Sequence, residues 1–357
     1  MSYEKEAMAI DAEILGVIEA WRERGDAISD ADFNDLALRL FDFQRRHNEP
    51  YARYCAALGV TSALKSWEEI PAVPVAAFKE AAVATFPVER AALVFETSGT
   101  TRGAGGLHYM ESAALYDAAL LAGFDRFALR DGAQLRYLNL LPNPAERPRS
   151  SLGYMMARVA EARGDGRTGW YVRGDALLVE SFERDLRAAI AERQPVCIAA
   201  TAFAAADLLE ALAARGARFA LPAGSRIMET GGFKGRRRAV DRGELYAALS
   251  SALGIGAGEI VAEYGMTELT SQYYARAGGP FAGPPWLRTR VVGPERTTLP
   301  WSIAGSLLHV DLANRSSCVA LQTDDAGMQT EDGLVLLGRQ TDAPPRGCSL
   351  DAEQLVR

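Results

Sequence analysis

The chain has 357 residues, of which 48% are hydrophobic and 24% charged, a mix that excludes collagenous and disordered classes and leaves room for a sizeable core. A formal charge of −7 gives no global positive field to draw the protein onto nucleic acid or anionic lipid. Cys55, Cys197, Cys318 and Cys348 are widely spaced, with no CxxC pair and no histidine cluster, which excludes a readable disulfide framework or zinc site and fits a reducing cytoplasm.

The acidic, amphipathic start "MSYEKEAMAIDAEILG" lacks the basic end and apolar block of a signal peptide. No apolar run approaches the ~20 residues of a membrane helix, so no membrane partner is expected. Residues 4–24 read as a helix ended by Gly25. "SDADFNDLALRLFDFQRRHN" reads as a second, N-capped by Ser29, and "YARYCAAL" as a third. Pro71 and Pro74 in "EEIPAVPVAAFKE" break the helical pattern and bridge into an α/β body.

From about residue 91 strand-like and helix-like runs alternate, beginning "AALVF", "ESAALYDAALLAGFDRFAL", "LRYLNLL", "SSLGYMMARVAEA" and ending "SRIMET", "RGELYAALSSALG", "GEIVAEYG". That alternation predicts an α/β fold of parallel βαβ units, with ligands bound beyond the carboxyl ends of the strands. After about residue 280 come short strand-like runs such as "SLLHVDL", "CVALQTD" and "GLVLLGR". The expected divisions are a helical region over 1–90, an α/β core over 91–280, a small β subdomain over 281–340 and a tail over 341–357.

Three loops carry the chemistry. In "VFETSGTTRGAGG" Thr97, Ser98, Thr100 and Thr101 offer hydroxyls, while Gly99 and Gly103 let backbone N–H groups approach an anion, so a phosphate is a natural guest. No GxxxxGK[ST] motif is present, and Gly254, Gly256 and Gly258 precede a strand-like run, which argues against a dinucleotide fingerprint. "IMETGGFKGR" ends a strand at Thr230, Gly231 and Gly232, and "IVAEYGMTELTSQYY" ends another at Tyr264, Gly265, Met266, Thr267 and Glu268. All three loops are expected at one sheet edge.

Together with "LQTDDAG" and "GRQTD", these loops resemble the ordered motifs of the adenylate-forming superfamily of acyl-CoA synthetases, firefly luciferase and peptide-synthetase adenylation domains. "IPAVPVAAFK", "SSLGYM", "ETGGFKGR", "YGMTELTSQYY", "DLAN" and "RGCSL" are similar to the acyl-protein synthetase family, typified by the synthetase subunit of the bacterial luminescence fatty-acid reductase complex. The resemblance implies a large N-terminal domain of mixed and parallel sheets with helices, a small β subdomain near the C-terminus, and a C-terminal lid domain truncated or absent. It implies ATP- and Mg²⁺-dependent conversion of a carboxylic acid to acyl-AMP and transfer of the acyl group to a thiol, with an acyl-carrier or acyl-reductase protein as candidate partner.

By the same resemblance "TSGTT" is a phosphate loop, "ETGG" an adenine loop, and "YGMTE" the motif whose Thr267 touches the α-phosphate and whose Glu268 holds Mg²⁺. Tyr264 would stack on adenine or wall its pocket, Gly265 and Met266 lie in the same ATP-binding run, Asp325 or its neighbour Asp324 would accept the ribose hydroxyls, and Arg339 would meet ribose or phosphate. The chemistry agrees: joining a carboxylate to a phosphate brings two anions together, which calls for a divalent ion and fixed donors.

Longer superfamily members carry a lid lysine, whereas the last lysine here is Lys234, and only Lys5, Lys65 and Lys79 precede it. Lys234 in "GGFKGR" is the chosen substitute, with Arg236, Arg237, Arg238 or a partner's residue as alternatives. Cys348, near Arg346, matches the family's acylated cysteine; only a thiolate attacks an acyl-adenylate efficiently. His108 in "GGLHYM" can line a pocket, although a lone histidine more often serves structure. The competing expectation is a catalytically incomplete ATP-binding or scaffolding subunit whose partner supplies the lid.

Overall fold

The computed structural model describes residues 2–60, 63–97, 105–231 and 241–339. Three helices come first: α1 (Tyr3–Arg24), α2 (Asp30–His47) and α3 (Glu49–Ala57). Local chemistry sets their ends, because Ser2, Ser29 and Asn48 each accept a first-turn backbone N–H and Gly25 closes α1 at φ 77°. Along α1 the buried residues Ala7, Ile10, Ile14, Ile18 and Trp21 recur at helical spacing, so a single stripe faces the core.

A short β1 (Val73–Pro74) and a 3₁₀ turn (Val75–Lys79) lead to the hairpin β2 (Leu93–Glu96) and β3 (Leu107–Met110). Helix α4 (Ala114–Gly123) ends in a π-helical turn, Phe124–Ala128. Next come β4 (Leu135–Pro142), α5 (Ser151–Arg163), β5 (Gly164–Arg173), β6 (Ala176–Leu177), α6 (Val179–Ala191), β7 (Val196–Thr201) and α7 (Ala202–Ala214). The chain continues through β8 (Arg226–Thr230), α8 (Arg242–Leu253), β9 (Ile260–Tyr264), β10 (Tyr273–Arg276), β11 (Leu287–Val292), β12 (Gly305–Asp311), β13 (Ala320–Thr330) and β14 (Gly333–Arg339).

These elements form two compact units, neither continuous in sequence: 1–122, 266–272 and 283–357 make one, and 123–265 with 273–282 the other. In the first, β1 runs parallel to β13, which pairs antiparallel with β12 and β14, and β11 lies outside β12. The N-terminal helices belong to this unit rather than standing apart. The buried amide of Gln44 donates to the carbonyls of Asn314 (2.8 Å) and Arg315 (3.1 Å) and accepts from the Val319 N–H (2.7 Å).

The second unit is a seven-stranded sheet in the order β10-β9-β8-β7-β4-β5-β6, parallel through its five central strands and antiparallel at both edges. Phe182 and Leu186 of α6, Leu208 and Leu212 of α7, and Leu245 and Leu249 of α8 pack on Leu138, Ile198, Ile227 and Ile260 of the strands. Each such side chain contributes about 1.5–3 kcal/mol by leaving water. This is the α/β core the alternating pattern predicts.

One expectation is corrected. Among the described residues β2 pairs with β3 alone, antiparallel, in a separate two-stranded sheet, so the strand that leads into "TSGTT" is not a member of the sheet that carries β8 and β9. A strand-like run shows that a segment is extended but not which partner it takes, and hairpin closure across a short loop competes well with distant parallel pairing.

Candidate active site

In the first unit the hairpin frames the proposed phosphate loop. The Thr97 N–H donates to the Gly106 carbonyl and the Gly106 N–H to the Thr97 hydroxyl, both at 2.8 Å, so Thr97 closes the loop's base. Two close approaches make glycine necessary there: a Cβ on Gly105 would lie 2.4 Å from the Thr97 carbonyl oxygen, and one on Gly106 would lie 2.9 Å from the Phe78 carbonyl group. Ser98, Gly99, Thr100 and Thr101 lie outside the described residues.

Directly across from Phe95 in the hairpin register stands His108, fully buried. Its Nδ1 is 2.7 Å from the Thr267 carbonyl, and its ring meets the Phe78 ring edge-on at 5.6 Å. Burial pushes the imidazole down to about 4, which keeps it neutral, and so Nδ1 carries the proton it donates to Thr267.

Thr267 and Glu268 belong to a short segment of this unit, Met266–Gln272, that in sequence follows β9 and precedes β10. Asp311, at the end of β12, fixes it: one carboxylate oxygen accepts the backbone N–H groups of Thr270 (3.0 Å) and Ser271 (2.8 Å). The other accepts the Ser271 hydroxyl (2.9 Å) and the Ala313 N–H (3.0 Å). Burial pushes Asp311 up to about 6 against the pull of these donors. The Asn314 amide donates to the Glu268 carbonyl at 2.9 Å, completing the cradle.

Glu268 is 8% exposed, and no described side chain donates a hydrogen bond to its carboxylate. Burial pushes it up to about 7; Lys79 and Arg339 favour its ionised form, and Asp324 opposes it. The "TDD" pair divides by strand alternation. Asp325 is registered opposite Arg339 across β13 and β14, while exposed Asp324 is the one whose charge is felt by Glu268. A buried carboxylate whose described donor is its own backbone N–H rather than any side chain, flanked by cationic groups, fits an anchor for a divalent cation that also takes phosphate oxygens; Mg²⁺ commonly uses one or two protein carboxylates. Among the described residues no group of three or more His, Cys, Asp or Glu is arranged around a metal position.

In the second unit Thr230 and Tyr264 end the adjacent parallel strands β8 and β9, at the carboxyl edge. Gly231 follows at φ 87°, a left-handed conformation that glycine adopts without strain. The Thr230 hydroxyl donates a hydrogen bond to the Glu263 carboxyl, which burial pushes up to about 7. Tyr264 is partly buried, its ring 6.0 Å from those of Tyr273 and Phe281, and Arg242 lies over Phe281 at 5.5 Å. Gly265 ends this unit's strand segment and Met266 begins the segment of the other.

Gly232, Lys234 and Cys348 lie outside the described residues. Asp311, Asn314, Lys79 and Glu263 are the residues sequence reasoning did not single out as site groups. A signal existed for the first two, since "HVDLANRSSC" ends an apolar strand and runs on with polar residues that all turn out buried. Lys79, an exposed lysine, ends "IPAVPVAAFK", a run read for its resemblance but given no site role.

No family model and no curated protein matches the sequence. Solved structures do match. A 2-hydroxyisobutyryl-CoA ligase in complex with 2-HIB-AMP and CoA is 16% identical, with a TM-score of 0.65 over 88% of this chain and 70% of that one. ATP-bound MatB from Rhodopseudomonas palustris is 17% identical (TM-score 0.51, 74% and 51% covered), and McyG A-PCP with phenylalanyl-adenylate is 17% identical (TM-score 0.50, 72% and 48% covered). The chain thus has the mixed α/β fold of adenylate-forming enzymes. It spans about half the length of the MatB and McyG chains.

Proposed function

We propose that the protein activates a carboxylic acid with ATP as an acyl-adenylate and passes the acyl group to a thiol. The observation that carries this reading is Glu268, a buried carboxylate held on a braced loop beside the base of a hydroxyl- and glycine-rich hairpin. The ligands held by the similar structures, an acyl-AMP with CoA, an aminoacyl-adenylate and ATP, support the same chemistry.

In the first step a carboxylate oxygen attacks the α-phosphorus and pyrophosphate leaves. In the second a thiolate attacks the acyl carbon and AMP leaves. Thr267 is assigned to the α-phosphate, and Thr97 with the loop beyond it to the phosphates. Thr230, Gly231 and Tyr264 are assigned to the base, Asp325 or Asp324 to the ribose, and Arg339 to ribose or phosphate. Glu268 would hold Mg²⁺, which supplies positive charge between the two anions. The neutral His108 holds the Thr267 carbonyl and so sets the geometry of the segment.

The acyl-protein synthetase branch is the finer reading, with Lys234 as a phosphate ligand, Cys348 as acyl acceptor and an acyl-carrier or acyl-reductase protein as partner. ATP and reduced thiols point to a cytoplasmic setting. No helix among the described residues is long and apolar enough to cross a membrane.

The test is exchange of labelled pyrophosphate into ATP with Mg²⁺ and a panel of acids. Exchange with at least one acid, reduced at least about 100-fold in Glu268→Gln, is the expected result. ATP binding without exchange for any acid would instead favour a subunit that needs a partner. For Cys348, a hydroxylamine-sensitive mass increase that Cys348→Ser abolishes is expected.

A further inference from the structure

The chemistry proposed above leaves one requirement open on the described residues: a mobile cation to meet the phosphates as charge moves. Three contacts place a candidate. The Val75–Lys79 turn leaves β1 where β1 is registered with Leu321 and Gln322 of β13, so it starts beside the strand carrying Asp324. Its far end lies against the hairpin, since a Cβ on Gly106 would approach the Phe78 carbonyl group at 2.9 Å and the Lys79 backbone nitrogen at 3.1 Å. Phe78 packs on His108, whose ring reaches the Thr267 carbonyl.

Lys79 therefore ends a turn fixed to both the loop base and the metal-carboxylate segment, while its own side chain is exposed and has no ion-pair partner among the described residues. Its neighbour Phe78 packs on His108, and His108 holds the carbonyl of Thr267, the residue next to Glu268. Arg339, by contrast, is a strand residue registered opposite Asp325. A lysine differs from it in offering a compact ammonium with three rotatable donors on a flexible stem.

We propose that Lys79 is a phosphate-binding residue of the active site, its ammonium meeting the triphosphate of ATP beside Glu268. This rests on the adenylation reading and adds to it a residue on the N-terminal side of the hairpin, independent of Lys234. A charge-assisted contact to phosphate belongs to the stronger class of hydrogen bonds, and removing one costs about 10- to 100-fold in affinity.

Calorimetric titration of the full chain with MgATP and with AMP, beside pyrophosphate exchange, tests it. Lys79→Ala and Lys79→Gln should weaken MgATP binding about 10- to 100-fold, leave AMP binding within about 2-fold, and keep the wild-type melting temperature, with Lys79→Arg recovering part of the loss. Unchanged MgATP affinity in a folded Lys79→Ala or Lys79→Gln protein would overturn the proposal, as would equal loss of MgATP and AMP. A wild-type protein that binds no MgATP would overturn the adenylation reading itself, and this inference with it.

Discussion

Thr230 and Glu263 are Cα partners at the ends of neighbouring parallel strands, and the Thr230 hydroxyl hydrogen-bonds a carboxyl that is 5% exposed. Burial raises the Glu263 pKa from 4.5 to about 7, with Glu229 adding to the rise and Thr230 opposing it. Because the folded value lies above the unfolded one, the stability this proton confers is complete below about pH 4.5 and is lost as pH rises through about 7. Glu263→Gln should therefore match wild type in acid and exceed it by up to about 3 kcal/mol above pH 7, read from urea unfolding at pH 5 and 8. A difference that does not grow with pH would refute the buried-carboxyl account. Thr230 could be picked out of the sequence by the glycines after it. Glu263 could not, because "VAEYG" shows an acidic residue in a strand and only the packed fold shows that water is gone.

At the scale of elements, the segment Met266–Gln272 owes its shape to Asp311, whose two oxygens take four donors. Asp311→Asn keeps the volume but turns an N–H₂ group toward two of them, so a loss of about 3 kcal/mol in urea unfolding is expected, together with loss of pyrophosphate exchange. Unimpaired exchange would show that the segment holds its geometry without this brace. The helices were legible because caps and apolar stripes are local; Ser29, Gly25 and the buried row of α1 all act within a few residues of one another. Central strands β4, β7, β8 and β9 were legible as apolar runs between helices. β5 was missed, since "GDGRTGWYVR" carries the glycines and charges of a turn, and so was edge strand β10, whose "YYAR" is too short to set a period. Which strand pairs with which depends on contacts distant in sequence, so the hairpin of β2 and β3 read as one more parallel strand.

Across the whole molecule, sequence position and unit membership part company: residues 266–272 belong with the N-terminal helices, and 273–282 with the seven-stranded sheet. Composition shifts cannot reveal this, because both pieces lie within one motif-rich run. A fragment spanning 123–282 retains β10, with Tyr273 to Arg276 registered on Tyr264 to Val261, and the stacking of Tyr274 on Phe127 at 5.5 Å. A fragment ending at 265 leaves β9 as an open edge with Ile260, Val261 and Ala262 along it, a template for aggregation. The longer fragment should stay soluble and unfold at higher urea than the shorter one; equal behaviour by gel filtration and circular dichroism would refute a structural role for β10.

The pairing of β1 with β13 also has a consequence for the order of events during synthesis. Val73 leaves the ribosome long before its partner Leu321, with the whole of 123–282 translated between them. At ~5–20 residues per second that interval is on the order of tens of seconds, time for a sheet whose strands all lie within 123–282 to form before β13 exists. The nested unit is thus born second but completed first. The N-terminal helices and the Val75–Lys79 turn must wait, partly unsatisfied, for strands still being made, and that waiting interval is when a chaperone has most to hold.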